Sequence, residues 1–398
     1  LPYLTFALNY APNDVFLNIS RSAVRFADLA RTWNELSTAN AVEGLGMGNP
    51  VYDAVANATD EQAARYAFNS LSGEVHASML SALLEEGRYL RAAVLNRMQN
   101  MLSEPGSVYR NQLNEGTVAA GDDWSLWGNG FGSWGRLDGN GNAAALNRSI
   151  GGVFIGGDRK VGDALRVGLV GGYSNGTYNV AARSSHAASD SYYLGAYTGT
   201  RFNQWGLRLG GAYTWSDLDL TRRAAFPGFN NDLKTDTNAA TGQVFAEVGY
   251  STGIRHIELE PFAGAAYLTV DNDRWAEHGG AAALTGAGHN GVAYSSLGLR
   301  EAAVLYQGAQ YTVSEKVMLG WQHAYNGIVP NIAQQFATGS TPFMISGVPI
   351  AQNSLLVDAG LNWQHQAKNI NLRLSYIGQF AEHVTDNGVA GVLSWRFA

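Results

Sequence analysis

The chain has 398 residues, with 48 Gly, 10 Trp, 9 Pro and no Cys, and a formal net charge of −7. So much Gly argues against an all-α protein, and 11 % aromatic residues argue against a disordered one. Zero Cys excludes a disulfide scaffold and a Cys-ligated metal, and the acidic balance leaves no footprint for nucleic acid.

The chain opens Leu1-Pro2-Tyr3, with no Met and no signal peptide, as expected of a mature fragment. In residues 1–22, Leu4, Phe6, Leu8 and Tyr10 alternate, Ala11-Pro12-Asn13-Asp14 turns, and Val15, Leu17 and Ile19 alternate again. This pattern predicts a hairpin that ends something larger upstream. Residues 23–118 read as helical. Phe26, Leu29, Ala30 and Trp33 recur at helical spacing, and 44–50 is a breaker. Thr59 and Asp60 read as caps of a second helix striped by Phe68, Leu71, Val75, Met79, Leu83 and Leu84. Gly73 and Gly87 are expected to kink or break it. A third helical stretch is predicted from about Arg88 to Leu102, carrying Arg88, Arg91 and Arg97.

From Trp124 the period becomes two. No run of about 18 apolar residues occurs, which excludes a membrane-spanning helix but not a spanning strand. About twelve strands are predicted, at 124–135, 149–160, 164–175, 190–202, 205–221, 238–253, 256–270, 294–306, 309–323, 353–365, 369–379 and 387–397. In the fifth, Trp205, Leu207, Leu209, Tyr213 and Trp215 oppose Arg208, Thr214 and Ser216; in the eleventh, Ile370, Leu372, Leu374 and Tyr376 oppose Asn371, Arg373 and Ser375. Trp205, Trp215, Tyr267, Trp321, Trp363, Tyr376 and Trp395 gather towards strand ends on the apolar face, as an interfacial girdle does. The polar face carries Arg166, Arg208, Arg300, Lys316, Arg373 and Arg396 against Glu247, Glu258, Glu260 and Asp358, and such groups need water or partners. Lipid outside and a hydrated lumen inside demand closure. The expected fold is therefore an all-β membrane protein, with an antiparallel transmembrane barrel of about twelve strands over 119–398.

Short links at 161–163, 203–204, 254–255, 307–308 and 366–368 alternate with long ones at 136–148, 176–189, 222–237, 271–293 and 324–352. Short turns belong in the periplasm, so the barrel is expected to begin and end there. The hairpin of 1–22 reads as the tail of a passenger folded outside. A pore-spanning helix, expected within 81–118, would join the two sides, because about 20 helical residues cross a hydrocarbon core of roughly 30 Å. The lumen charges Arg166, Arg208, Glu247, Glu258, Glu260, Arg300, Arg373 and Arg396 are expected to keep the pore hydrated and to seat the arginines of that helix, Arg88, Arg91 and Arg97.

Residues 124–135, Trp-Ser-Leu-Trp-Gly-Asn-Gly-Phe-Gly-Ser-Trp-Gly, resemble the opening strand of type Va autotransporter β-domains. Gly151-Gly152, Gly156-Gly157-Asp158, Arg166-Val167-Gly168 and Gly172-Tyr173-Ser174 continue the likeness. Upstream, residues 26–34, Asn49-Pro50-Val51-Tyr52-Asp53 and residues 71–78 are similar to the junction that precedes such barrels. The resemblance implies a bacterial outer-membrane translocator that delivers its own passenger to the cell surface by type V secretion. It implies as partners that passenger, outer-membrane lipid, periplasmic chaperones and the barrel-assembly machinery, and it implies no cofactor. The machinery would read the last strand, here Leu393, Trp395 and Phe397, with Ala398 beyond the aromatic end.

Signatures of chemistry fail on context. Gly130-x-Gly132-x-x-Gly135 matches a dinucleotide fingerprint but sits inside a strand with no helix after it. Gly172-Tyr173-Ser174-Asn175-Gly176 matches a nucleophile elbow, again without its helix. The eight His are dispersed, none at zinc-binding helical spacing. Glu247, Glu258 and Glu260 could serve paired-acid catalysis or cage a basic helix, against a default of ordinary lumen polarity. Asn96, Asn100, Asn111 and Asn114 are available for self-cleavage inside the pore, although their flanks do not resemble a self-cleaving junction; a capping or solvated Asn is the default. The rival reading is a barrel enzyme, protease or esterase, with its site at the extracellular rim. A third is a plain porin.

Overall fold

The computed structural model describes residues 1–102, 108, 118–119, 124–162, 165–254, 257–365 and 370–395. The chain opens with a hairpin, β1 (Leu4–Tyr10) and β2 (Val15–Arg21), in register from Leu4↔Arg21 to Tyr10↔Val15. Tyr3 anchors its base edge-on against Phe26, while Phe6, Leu8, Leu17 and Ile19 stay exposed.

Four helices follow: α1 (Trp33–Leu45), α2 (Pro50–Ala56), α3 (Glu61–Leu71) and α4 (Glu74–Leu102). Thr32 and Glu35 form a reciprocal capping box on α1, and Asp60 caps α3 by accepting from Ala63 N. The 44–50 punctuation does more than end α1. Asn49 caps α2 and Pro50 sits in its first turn, where a fixed φ and a missing N–H cost nothing. The expected break at Gly73 is there, with φ +62°. The one expected at Gly87 is not. α4 runs through it unbroken, and the missing side chain admits Leu268 of the wall. At 1.5 Å per residue, the 29 residues of α4 reach about 43 Å. No helix among the described residues is long and apolar enough to cross a membrane.

The remaining strands are β3 (Val118–Ala119), β4 (Trp124–Leu137), β5 (Leu146–Val161), β6 (Leu165–Val180), β7 (Ser185–Phe202), β8 (Trp205–Phe226), β9 (Phe229–Tyr250), β10 (Thr252–Ile254), β11 (Ile257–Ala276), β12 (Leu284–Gln307), β13 (Tyr311–Ala324), β14 (Asn331–Phe336), β15 (Phe343–Ser346), β16 (Asn353–His365), β17 (Ile370–Ala381) and β18 (Val384–Trp395). Twelve of them, β4–β9, β11–β13 and β16–β18, pair antiparallel with their neighbours, and β18 closes on β4 through Val384↔Leu137 to Gly391↔Gly130. The expected closed barrel of twelve strands is therefore present.

Three of the five expected long loops are mostly strand, while 136–148 keeps a loop at 138–145. Strands run on through 176–189, 222–237 and most of 271–293, leaving connectors of 181–184, 227–228 and 277–283; 325–352 remains long, and it carries the β14–β15 hairpin. The reason lies in the side-chain faces. On β8 the exposed residues are Trp205, Leu207, Leu209, Tyr213 and Trp215, followed by Asp217, Asp219, Thr221 and Arg223. The inward ones begin with Arg208, Thr214 and Ser216 and then become Leu218, Leu220, Ala224 and Phe226, interrupted by Arg222. The alternation continues while its sense reverses. Below residue 216 the wall is apolar outside, as lipid requires; above it the wall is polar outside and apolar inside, as water requires.

The upper, inward-facing apolar residues share one core with α1–α3, the first turns of α4 and residues 343–351. A second core lies lower in the bore, where Tyr89, Leu90, Val94 and Met98 of α4 meet Trp127, Phe131, Phe154, Tyr193, Tyr197 and Phe245. The bore is thus occupied along its whole length, though not across its whole width.

Candidate functional site

The bore and its contents form the candidate site. At its lower end Arg201 Nη1 donates to Leu102 O at 3.0 Å, beside the two-residue turn 203–204. At the upper end Arg183 Nε donates to Glu74 at 3.1 Å, and Ala144 N donates to the same carboxylate. α4 therefore spans from the short-turn side to the opposite rim.

Its three arginines are held differently. Arg97 Nε donates to Asp158 Oδ2 at 2.7 Å; the other oxygen of Asp158 takes Arg166 Nε at 3.0 Å. Arg88 lies 2.6 Å from Asp386, which is buried and also takes Arg148 Nε at 3.0 Å and the Ser133 hydroxyl. Arg91 donates to Gln243 Oε1 at 3.3 Å and lies over the Tyr294 ring. Removing one partner from buried pairs such as these costs roughly 3–5 kcal/mol, because it strands the other charge.

The expected lumen charges are only partly brought to the helix. Arg166 meets it through Asp158. Arg373 stands 3.8 Å from Asp358, which accepts from Asn96 of α4 at 3.2 Å. Glu258 accepts from Val108 N at 2.6 Å. Arg208, Glu247, Glu260 and Arg300, however, form a closed quartet within the wall, with contacts of 2.7–2.8 Å. The register explains this correction: Arg208 stands opposite Glu247 and Glu260 opposite Arg300 on neighbouring strands, so each acid is neutralised before it can reach α4. Arg396 and Phe397 lie outside the described residues. Leu393 and Trp395 are strand positions, opposite Leu372 and Ile370.

Sequence reasoning missed Asp158 and Asp386 as the partners of the helix arginines, and with them Arg148, Arg222 and Glu277. In the upper core Arg222 grips Glu277 with two nitrogens, at 2.6 and 2.7 Å, and His76 Nε2 adds a third contact at 2.8 Å. Burial opposes the charge of Glu277, yet the Arg222 guanidinium and the His76 hydrogen bond hold its carboxyl down at about 2. Also missed was the packing of 345–351 into the mouth beside α4. Single inward acids in Gly-rich strands and an aperiodic loop give no pattern that would single them out.

Among the described residues no group of three or more His, Cys, Asp or Glu is placed to hold a metal ion. The rim histidines have ordinary polar partners: His289 faces Asp271 at 2.6 Å and His323 faces Asn353 at 2.8 Å.

Comparison with known proteins is consistent with this geometry. The autotransporter β-domain family profile matches residues 126–377. An extracellular serine protease of Serratia marcescens is 32 % identical over 438 aligned positions, covering all of this chain and 41 % of the relative, so the chain spans about two fifths of that protein's length. The translocator domain of the autotransporter NalP from Neisseria meningitidis superposes with a TM-score of 0.60 at 15 % identity, covering 81 % of this chain and 99 % of that one. The β-domain of the Bordetella autotransporter BrkA gives 0.50 at 15 % identity, covering 69 % and 100 %.

Proposed function

The chain belongs to the autotransporter β-domain family, an outer-membrane translocator, and from that premise we infer that its cargo is the polypeptide continuous with Leu1, carried outward through the bore that α4 now fills. One observation carries this reading. A single helix runs the length of the bore and leads, at the rim opposite the short turns, into α1–α3 and an exposed hairpin. A chain that had gone out through the barrel would stop in this arrangement. β1 and β2 fit the end of the exported part, their apolar side chains awaiting cover from residues further upstream.

We read the β-domain itself as non-catalytic. The Serratia relatives named as serine proteases extend well beyond the matched region, which supports placing a secreted hydrolase upstream here too. The assembly machinery and periplasmic chaperones are proposed partners, with Leu393, Trp395 and Phe397 as the recognition strand.

An epitope placed immediately before Leu1 in the full-length chain tests the direction of travel. Antibody added to intact cells is expected to reach it. An epitope reached only after the outer membrane is permeabilised would overturn the reading.

A further inference from the structure

Residues 345–351 are all buried and run beside α4 at the mouth of the bore. Side chains of the helical segment hold the backbone of this strap. Asn34 Oδ1 accepts from Ser346 N, and Asn34 Nδ2 donates to Ser346 O, both at 2.9 Å. Ser78 Oγ accepts from Val348 N at 3.1 Å, and the Ser81 hydroxyl donates to Val348 O. Glu85 Oε1 accepts from Ala351 N at 3.1 Å, while its other oxygen takes Gln379 Nε2 at 2.9 Å. Ser78, Ser81 and Glu85 lie three and seven residues apart, one stripe of α4. Gly347 presses on the helix so closely that an added Cβ would stand 2.5 Å from the Ala77 carbonyl carbon.

Below the strap α4 does not fill the bore evenly. It packs chiefly against β5, β7–β9, β11 and β12. Towards β13, β16 and β17 a cavity of about 120 Å³ remains, lined by Arg88, Arg91, Ala92, Met318, Asp358 and Ile377, and a second of about 60 Å³ shares Asn96 and Asp358 with it. Both are roomy enough for water, and Arg88, Asn96 and Asp358 offer it polar partners among otherwise largely apolar walls. The strap ends at Ala351, next to Glu85 and Gln379, and so covers this side of the mouth.

We propose that residues 345–351 are the outer gate of the pore, and that the gate shuts only on the segment carrying Asn34, Ser78, Ser81 and Glu85. This rests on the translocator reading. An extended chain in transit occupies the mouth without presenting that stripe. Five backbone polar groups of the strap, the N–H and C=O of Ser346 and Val348 and the N–H of Ala351, would then be buried without partners, and each such loss is costly. The strap therefore stays out during transit. Arrival of α4 supplies the partners, and closure marks the end of export.

The chain has no Cys, so a single introduced thiol is a clean reporter of the β-domain. In the full-length protein, Ala92→Cys places it in the larger cavity. A membrane-impermeant maleimide added to intact cells should label it slowly. The triple change Ser78→Ala, Ser81→Ala and Glu85→Ala should speed labelling by at least about tenfold, since three hydrogen-bonding side chains are lost. Gly347→Leu, which pushes the strap off Ala77 and leaves α4 untouched, should do the same and serves alone if the triple variant does not fold. Passenger display and resistance of the folded barrel to unfolding on a detergent gel should stay at parental levels. Equal labelling of the parent and a folded unlatched variant, slow or fast in both, overturns the gate while normal display leaves the translocator standing. A passenger missing from the surface of parental cells would instead overturn the translocator reading.

Discussion

His76 stacks on Trp275 with ring centroids 3.7 Å apart and shares Glu277 with Arg222. Burial lowers its pKa below the ordinary 6.5, so the folded ring is neutral where the unfolded one takes a proton. The unfolded state therefore binds more protons as pH falls through 6.5, and the upper core loses stability there. Glu277, with its depressed pKa, contributes stability that is complete above its ordinary 4.5 and is lost as pH falls towards 2. The two effects act in sequence and in the same direction. Amide exchange in the first turns of α4 and in 345–351, corrected for intrinsic rate, should quicken between about pH 7 and about pH 5. His76→Gln should flatten that rise; a slope unchanged in the variant would remove His76 as its source.

α4 owes its entry angle to one residue. Gly73 has φ +62°, and a Cβ there would stand 2.3 Å from Leu284 Cδ1. Gly73→Ala is expected to destabilise the barrel by about 1–3 kcal/mol, read as a lower unfolding temperature in detergent. An unchanged temperature would mean that Leu284 turns aside and the bend carries little strain. The break at Gly73 was legible in the sequence because left-handed backbone favours Gly; the absence of one at Gly87 was not, because it depends on Leu268, a residue far away in the chain. Strands were legible as period-two runs, but their upper ends were not, since Leu218, Leu220 and Phe226 keep the rhythm and change sides. Ion-pair partners were the least legible. Asp386 and Arg148 each stand opposite Gly135 on neighbouring strands and pair across the space it leaves, a juxtaposition that only the register reveals.

The whole molecule is one wall in two solvents. Leu209 and Asp219 share the outward face of β8, ten residues apart, one in the apolar belt and one above it. Leu209→Arg should cost about 2–4 kcal/mol if its place is near mid-bilayer, whereas Asp219→Arg should cost little. Folding yield and reversible unfolding in lipid vesicles compare the two, and equal penalties would remove the boundary at residues 215–217. That boundary also sets a height. From Asp217 to Phe226, β8 climbs ten residues beyond the belt, about 25 Å for a strand tilted near 40°. β8, β9, β11 and β12 have 20–24 residues, far more than the 12–14 of β13 and β16–β18. On the side of those longer strands the exit is therefore bounded by a parapet rather than set flush with the lipid, and whatever emerges along it is let go clear of the headgroup layer.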